Sequence, residues 1–459
     1  MLNAARLRTP LLMPARLMTA GFIVVIAVGT ILLMLPVSST DQRATGIVTA
    51  LFTATSATCV TGLVVVDTAA HWSWFGEIVI LALIQIGGLG VMTLATLLGL
   101  MVARRIGLRM QMASQKETKA VGFGDARRVV VGVLGVSLIV EAILAIVLSV
   151  RMATEYGEDL PHAVYLGVFH SISSFNNAGF ALYGDSLTRF AGDPWIVGPI
   201  AAGFIIGGLG FPVLFELGRA VRTQLVAAST RATLAHFSLH SKITLITYGA
   251  LAVVGICALM LSEWTNPATL GPLGFTDKLL AGSFAGLSPR TAGFNSVDIG
   301  DMSSGSLLMT DLLMFIGGGS AGTAGGIKVT TFALLGYVIL SEIRGEPSVH
   351  AMRRRIGPDV QRQAITVVLL GVGAVMTATL ILQYTTGFSL DQVLFEAVSA
   401  FGTVGLSTGI TADIPGAGQL ALIALMLLGR LGPITLASAL ALRERPRRFE
   451  RPEERPIVG

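Results

Sequence analysis

MFIGGGSAGTAGGIKVTTF, from Met314 to Phe332, sets six glycines and one lysine inside an otherwise apolar segment. A glycine run next to a lysine suggests a phosphate-binding loop, whereas the same run inside a membrane-length segment suggests a broken helix. A phosphate loop reads G-x-x-x-x-G-K-[ST], with a strand before it and a helix after it. Here Lys328 follows Ile327 and is followed by Val329, so neither the preceding glycine nor the following hydroxyl is in place. Six glycines in a continuous helix would cost about 1 kcal/mol each relative to alanine. The stretch therefore predicts an interrupted helix whose intervening loop lies inside the membrane. Gly317, Gly318, Gly319, Ser320, Gly322, Thr323, Gly325, Gly326 and Lys328 are its candidate gate residues.

The surrounding chain supports the membrane setting. Of 459 residues, 53% are hydrophobic and 13% charged, with a mean hydropathy of +0.75. Soluble domains carry about a quarter charged residues. Eight segments are long enough to span, near 18–36, 74–101, 129–150, 195–218, 243–262, 309–340, 363–385 and 417–442. Four shorter ones, 48–58, 163–175, 277–288 and 391–401, are too short to cross and read as re-entrant helices. The first span follows a basic start, and Leu35-Pro36 is no signal-cleavage site, so it reads as a retained helix. With the short segments re-entrant, one set of loops holds 25 Lys and Arg and the other 5. The positive-inside rule then places both termini in the cytoplasm.

The chain repeats itself four times. The strings VTGL (60–63), NAGF (177–180), TAGF (291–294) and TVGL (403–406) follow the four short segments. Their glycines, Gly62, Gly179, Gly293 and Gly405, are 117, 114 and 112 residues apart. Second glycine clusters, IGGLG (86–90), IGGLG (206–210), IGGGS (316–320) and LGRLG (428–432), begin their glycines 25, 28, 24 and 24 residues later. Phe52, Phe169, Phe284 and Phe395 stand nine or ten residues before each string's glycine. The predicted fold is an all-α polytopic membrane protein. Four units of span, re-entrant pore helix and span (M1–P–M2) surround one pseudo-fourfold pore, with eight spans and four pore helices. The units are 18–101, 129–218, 243–340 (with the broken second span) and 363–442, followed by a cytoplasmic tail, 443–459.

Such a pattern suits a monovalent cation. Rings of backbone carbonyls replace an ion's hydration shell, and glycine takes the unusual backbone angles that point them inward. No string contains a carboxylate, which disfavours a divalent-cation filter. Val60, Thr61, Gly62, Asn177, Ala178, Gly179, Thr291, Ala292, Gly293, Thr403, Val404 and Gly405 are the candidate ion-binding residues. Asp67, Asp185, Asp298 and Asp413 follow the strings and read either as cation-concentrating groups or as solvated loop residues. Arg430 replaces the second glycine of the fourth cluster, and an ionisable residue at membrane depth is a functional candidate; it joins Lys328 as a gate residue, the alternative for Lys328 being snorkelling to the surface. Cys59 and Cys257 form no CxxC. His236 and His240 are spaced i, i+4 without a third ligand. No catalytic constellation stands out, so an enzyme is disfavoured.

The strings SATCVTGL, SSFNNAGFAL, RTAGFNSVD and SAFGTVGLSTG, with GGGSAGTAGGIKVTTF, resemble the Ktr/Trk/HKT potassium-transporter superfamily over the full chain, most closely its KtrB-like membrane subunits. The resemblance implies K⁺ uptake across the cell membrane, the inner membrane in a two-membrane bacterium. It implies K⁺ at the filter residues, with Na⁺ as an activator in some members and no organic cofactor. It implies a gating intramembrane loop, a homodimer in the lipid bilayer, and a separate cytosolic nucleotide-binding ring subunit of the KtrA or TrkA kind. No nucleic-acid partner is expected. In the family, glycine in every filter accompanies potassium preference and serine in the first accompanies sodium transport; here all four positions are glycine. Pro289 and Cys59 are departures that remove no carbonyl. The rival reading is a Na⁺/K⁺-coupled secondary transporter working by alternating access, which predicts inverted repeats.

Overall fold

The computed structural model describes residues 13–90, 93, 123–227 and 237–442. These residues are mostly helical. A long helix, a short helix, a glycine string and a further helix recur in that order. The first set is α1 (Met13–Leu33), α2 (Ile47–Cys59), the one-turn α3 (Thr68–His71) and α4 (Trp74–Gly90). The second is α5 (Phe123–Glu155), α6 (Leu160–Phe175), α7 (Pro194–Leu209) and α8 (Phe211–Ala227). The third is α9 (Leu239–Glu263), α10 (Phe275–Leu287), α11 (Ser304–Phe315) and α12 (Val329–Ile343). The fourth is α13 (Pro358–Thr385), α14 (Leu390–Gly402) and α15 (Gly416–Leu442). A two-stranded antiparallel ribbon, His350–Ala351 with Arg354–Arg355, sits between α12 and α13.

Local chemistry fixes the ends of these helices. Asp193 accepts a hydrogen bond from the Trp195 N–H at the start of α7, where Pro194 occupies the first turn. Ser389 and Gln392 form a capping box on α14. The short helices α2, α10 and α14 have 13 residues each and α6 has 16. At 1.5 Å per residue they extend roughly 20–24 Å, less than the ~30 Å of a bilayer's hydrocarbon core.

Each short helix packs on the long helix before it: α2 on α1, α6 on α5, α10 on α9 and α14 on α13. Each also meets a helix of the preceding set. α10 touches α7, α14 touches α11 and α2 touches α15, while Tyr165 and Asn176 of α6 and its end bond to Glu77 and Gln85 of α4. The four landmark phenylalanines, Phe52, Phe169, Phe284 and Phe395, are buried at these junctions. Outward the surface is apolar: Ile31, Ile146, Leu261 (82% exposed), Leu369 and Tyr384 (88% exposed) face away from the core. Such a surface suits lipid rather than water.

Among the described residues, Val130–Glu155, Leu239–Glu263 and Pro358–Thr385 are each long and apolar enough to cross a membrane alone. The segment read as one span over 195–218 differs. α7 and α8 are bent by 107° at Gly210, whose φ is +91°. Pro212 supplies no N–H to the α7 ladder, and the Phe211 N–H donates instead to the Ala321 carbonyl. α8 then carries Glu216, Arg219 and Arg222, which favour a polar surface over hydrocarbon. The stretch 309–340 is two helices, α11 and α12, separated by residues 316–328. The tail 443–459 lies outside the described residues.

Asp193 also ties the end of α5 to α7, accepting hydrogen bonds from Arg151 Nε (2.8 Å) and the Tyr156 hydroxyl (2.9 Å). Burial pushes its carboxyl up, but these bonds and the Trp195 N–H outweigh burial and hold it below the ordinary 3.8. A depressed carboxyl stabilises the fold above its unfolded value, and that contribution is lost as pH falls through the folded value. Asp193→Asn is therefore expected to destabilise the protein by about 1–2 kcal/mol at neutral pH. The melting temperatures of the two proteins in detergent should converge only below the ordinary carboxylate range.

Candidate functional site

The four strings begin where α2, α6, α10 and α14 end. Val60 and Thr403 are the left-handed caps of α2 and α14. In every string the residue two before the glycine is left-handed: Val60 (φ 56°), Asn177 (60°), Thr291 (77°) and Thr403 (49°). The glycines are too, at 93° (Gly62), 70° (Gly179), 74° (Gly293) and 93° (Gly405). Thr61, Ala178, Ala292 and Val404 between them are not. This alternation turns successive carbonyls toward the same side. A non-glycine residue held left-handed costs on the order of 1–3 kcal/mol and persists only where its surroundings over-determine it.

A serine behind each string supplies that constraint. Ser56, Ser173, Ser288 and Ser399 each stand four residues after the landmark phenylalanine. Their carbonyls accept from the middle residue of the string: Thr61 N–H (2.8 Å), Ala178 N–H (2.7 Å), Ala292 N–H (3.0 Å) and Val404 N–H (2.9 Å). Their hydroxyls bind the same strings. Ser56 and Ser399 accept from the Gly62 and Gly405 N–H groups, both at 3.1 Å. Ser173 and Ser288 donate to the Phe180 and Phe294 carbonyls. Sequence reasoning missed these serines, although Phe-x-x-x-Ser recurs in all four units and was available as a signal.

The strings close on one another in chain order. A Cβ added at Gly62 would lie against the Ala178 carbonyl oxygen, one at Gly179 against Ala292 O, one at Gly293 against Val404 O, and one at Gly405 against Thr61 O. None of these separations exceeds 3.0 Å. Each glycine thus abuts the carbonyl that precedes the next glycine, and the fourth returns to the first. The hydroxyls of Thr61 and Thr403 are buried without a protein partner among the described residues. Buried polar oxygens of this kind fit a desolvated cation.

On one side of the ring is a cavity of about 690 Å³ that reaches all four glycines. Asp67, Asp185 and Asp298 line it; Asp413 does not. Asp67 caps α3 through the Ala70 N–H, Asp185 pairs with Arg189, and Asp298 accepts from the Gly300 N–H. Burial pushes the Asp185 carboxyl up, yet bonds from Arg189 and Thr188 prevail and hold it below the ordinary value.

The other side is closed by residues 316–328. A parallel bridge between Ile316 and Ile327 pinches the loop at its base. From there its backbone reaches the second and fourth trailing glycine clusters. Gly319 N–H donates to Gly208 O (2.8 Å), Thr323 N–H to Gly207 O (3.1 Å) and Gly326 N–H to Gly429 O (3.3 Å). Arg430, 2% exposed, donates to the Thr323 carbonyl and to Gly87 O (3.4 Å). The Thr323 hydroxyl donates to Asn177 Oδ1 (2.6 Å), and Asn177 Nδ2 donates to Thr291 Oγ1 (3.1 Å). The loop is thereby bonded directly to the second string and, through it, to the third. Gly325 presses on the fourth, because a Cβ there would strike the Thr403 side chain. Gly317, Gly318 and Gly322 are buried, whereas Ser320 is half-buried and meets Thr330 at 3.0 Å. Lys328 turns back onto the Ala324 and Gly325 carbonyls of the loop itself. Asn176, just before the second string, is held by Gln85 and by Glu141 of α5.

Among the described residues no cluster of three His, Cys, Asp or Glu side chains could hold a metal. His236 lies outside them. Cys59 and Cys257 are unpaired.

The family model described as "TrkH: Cation transport protein" matches residues 10–450. Ktr system potassium uptake protein B of Bacillus subtilis is 39% identical over 431 residues, covering 94% of each chain. The potassium/sodium uptake protein NtpJ of Enterococcus hirae is 33% identical over 454 residues, covering 98% of each. Among solved structures, the potassium transporter TrkH of Vibrio parahaemolyticus superposes with a TM-score of 0.66 at 17% identity, over 91% of this chain and 84% of that one.

Thr323→Val keeps the shape of the side chain and removes its bond to Asn177. It is expected to destabilise the protein by about 0.5–1.5 kcal/mol. An unchanged melting temperature in detergent would show that the loop does not depend on this contact.

Proposed function

Because the chain belongs to the TrkH family of cation transport proteins, we propose that it is a potassium uptake protein whose filter is the ring of four glycine strings. Its curated relatives are named as potassium uptake transporters, not enzymes. The observation that carries the filter assignment is the closed order of contacts. The carbonyls of Thr61, Ala178, Ala292 and Val404 each abut the preceding unit's glycine, leaving no room for a side chain between neighbours. Together with Val60, Asn177, Thr291, Thr403 and the glycines, they offer neutral oxygens to a dehydrated ion. The absence of carboxylates from the strings favours a weakly hydrated monovalent cation. Asp67, Asp185 and Asp298 raise cation concentration in the outer cavity. Four strings around one axis support a single axial pathway over alternating access.

In the same reading the loop 316–328 is the gate, covering the inner side of the ring with Arg430 fastening it at the Thr323 carbonyl. The spans and four re-entrant helices take the order set out from the sequence, with α7 and the bent α8 in place of one straight span over 195–218, and both termini are cytoplasmic. The protein works as a homodimer with a cytosolic nucleotide-binding ring subunit, and Na⁺ acts as activator, a role that the potassium/sodium relative makes chemically reasonable.

Rb⁺ uptake into liposomes holding the purified chain, with Na⁺ as competitor, tests the proposal. Selective uptake is expected, and Gly293→Asp should lower the preference for Rb⁺ over Na⁺ at least about tenfold, the equivalent of one lost ion–oxygen interaction. An unchanged preference in a folded Gly293→Asp protein would remove the filter assignment. Deleting residues 319–324 should raise basal uptake severalfold; a folded deletion variant that stays closed would remove the gate assignment.

A further inference from the structure

Glu396 is fully buried in α14 and belongs to none of the groups placed in the filter or gate. Its Oε1 accepts from the Ser407 hydroxyl and from the Thr408 N–H (3.2 Å), and its Oε2 accepts from the Thr411 hydroxyl (2.9 Å). A buried carboxyl is tolerated only when its oxygens are satisfied in this way. Among the described residues it makes no ion pair. All three donors lie on the segment that leaves the fourth string at Gly405. Ser407 and Thr411 also line the outer cavity, so their other side faces the ion's approach.

Comparison among the four units isolates the device. Glu396 directly follows Phe395, and the matching residues after Phe52, Phe169 and Phe284 are Thr53, His170 and Ala285. His170, also buried, makes the same kind of bond. Its Nδ1 contacts the Leu166 carbonyl (2.8 Å), which leaves Nε2 to accept from the Leu182 N–H (3.3 Å), twelve residues on. Glu396 accepts from Thr408, also twelve residues on. Units two and four lie across the ring from each other, because the strings contact in the order one, two, three, four. Ala285 cannot make the bond. In unit three the exit segment is held from the opposite direction, by the Ser296 hydroxyl donating to Ala281 O (2.7 Å).

We propose that Glu396 is a positioning residue for ion selectivity, fixing the exit of the fourth string through the hydrogen bonds it accepts rather than through its charge. This rests on the filter assignment above. The bonds reach from a helix packed on α11, α13 and α15 to the segment that sets where the Gly405 end of the ring lies. Without them the exit of one string is free to shift, and a ring of four carbonyl sets discriminates between K⁺ and Na⁺ only while all four stay in register.

The test is Na⁺ inhibition of Rb⁺ uptake in liposomes for the full-length protein, Glu396→Gln and Glu396→Ala, with melting temperatures alongside and Gly293→Asp in the same series. Glutamine keeps an acceptor for Thr408 and can donate to the Thr411 hydroxyl. It should leave Na⁺ inhibition within about twofold of the parent, whereas alanine should strengthen it about tenfold, the equivalent of one lost hydrogen bond at the upper end of the ordinary range. If the alanine protein does not assemble, Thr411→Val removes one donor without opening a cavity and should strengthen Na⁺ inhibition in part. A folded alanine variant with the parent's Na⁺ inhibition overturns the proposal, as does a glutamine variant that loses selectivity as fully as alanine, which would assign the effect to charge. Unaltered selectivity in Gly293→Asp would instead strike the filter assignment and is read separately.

Discussion

The structure depends on one steric constraint: where the four strings meet, each glycine touches the carbonyl of its neighbour, and no side chain fits between them. A Cβ on any one of the four would push a backbone carbonyl, not a flexible side chain, and a backbone inside a packed ring cannot yield. Everything behind the ring serves to hold this close approach. The short helices deliver each string at the right place, and the serine that follows each landmark phenylalanine holds the string by its carbonyl and its hydroxyl at once. The left-handed residues that precede the glycines are kept in place by those bonds.

The same closeness explains the loop beneath. Residues 317–326 approach the trailing clusters at Gly207, Gly208 and Gly429 through backbone groups, while the Arg430 side chain joins the Thr323 carbonyl to Gly87 and Asn177 meets the Thr323 hydroxyl. Backbone-to-backbone packing of this kind needs small residues on both sides, which accounts for the glycines of the clusters as well as those of the loop. In the proposed mechanism the loop is seated by a modest number of hydrogen bonds and little apolar burial, so it can leave without unfolding the ring. Polar backbone at membrane depth is tolerated there because every group named has a protein partner.

Much of this was legible in the sequence. The segments read at 48–58, 163–175, 277–288 and 391–401 coincide with α2, α6, α10 and α14 to within a few residues, because apolar composition and the glycines that end them mark both limits. The break in the stretch 309–340 was legible because glycine, unlike alanine, weakens a helix. The bend at Gly210 was not: Gly-Phe-Pro sits in an apolar run, and the partner that takes the Phe211 N–H is Ala321, over a hundred residues away. For the same reason nothing local marks the bond from Thr323 to Asn177 or from Arg430 to Thr323. Ser56, Ser173, Ser288 and Ser399 were within reach of the internal comparison, but serine is common in membrane helices and stands out only after the strings are aligned. Glu396 is a single carboxyl in an apolar run, and nothing local marks it, because its donors Ser407, Thr408 and Thr411 lie beyond the fourth string.

In the proposed filter the carbonyls of Thr61, Ala178, Ala292 and Val404 surround a dehydrated monovalent cation. The most direct measurement is a structure of the protein in Tl⁺ or Rb⁺, with the anomalous signal used to locate the ion. A peak is expected on the axis of the ring, within coordination distance of all four carbonyls, and it should vanish when Li⁺ replaces the larger ion. A ring without a peak, with the ion bound only beside Asp67, Asp185 or Asp298 in the outer cavity, would contradict it.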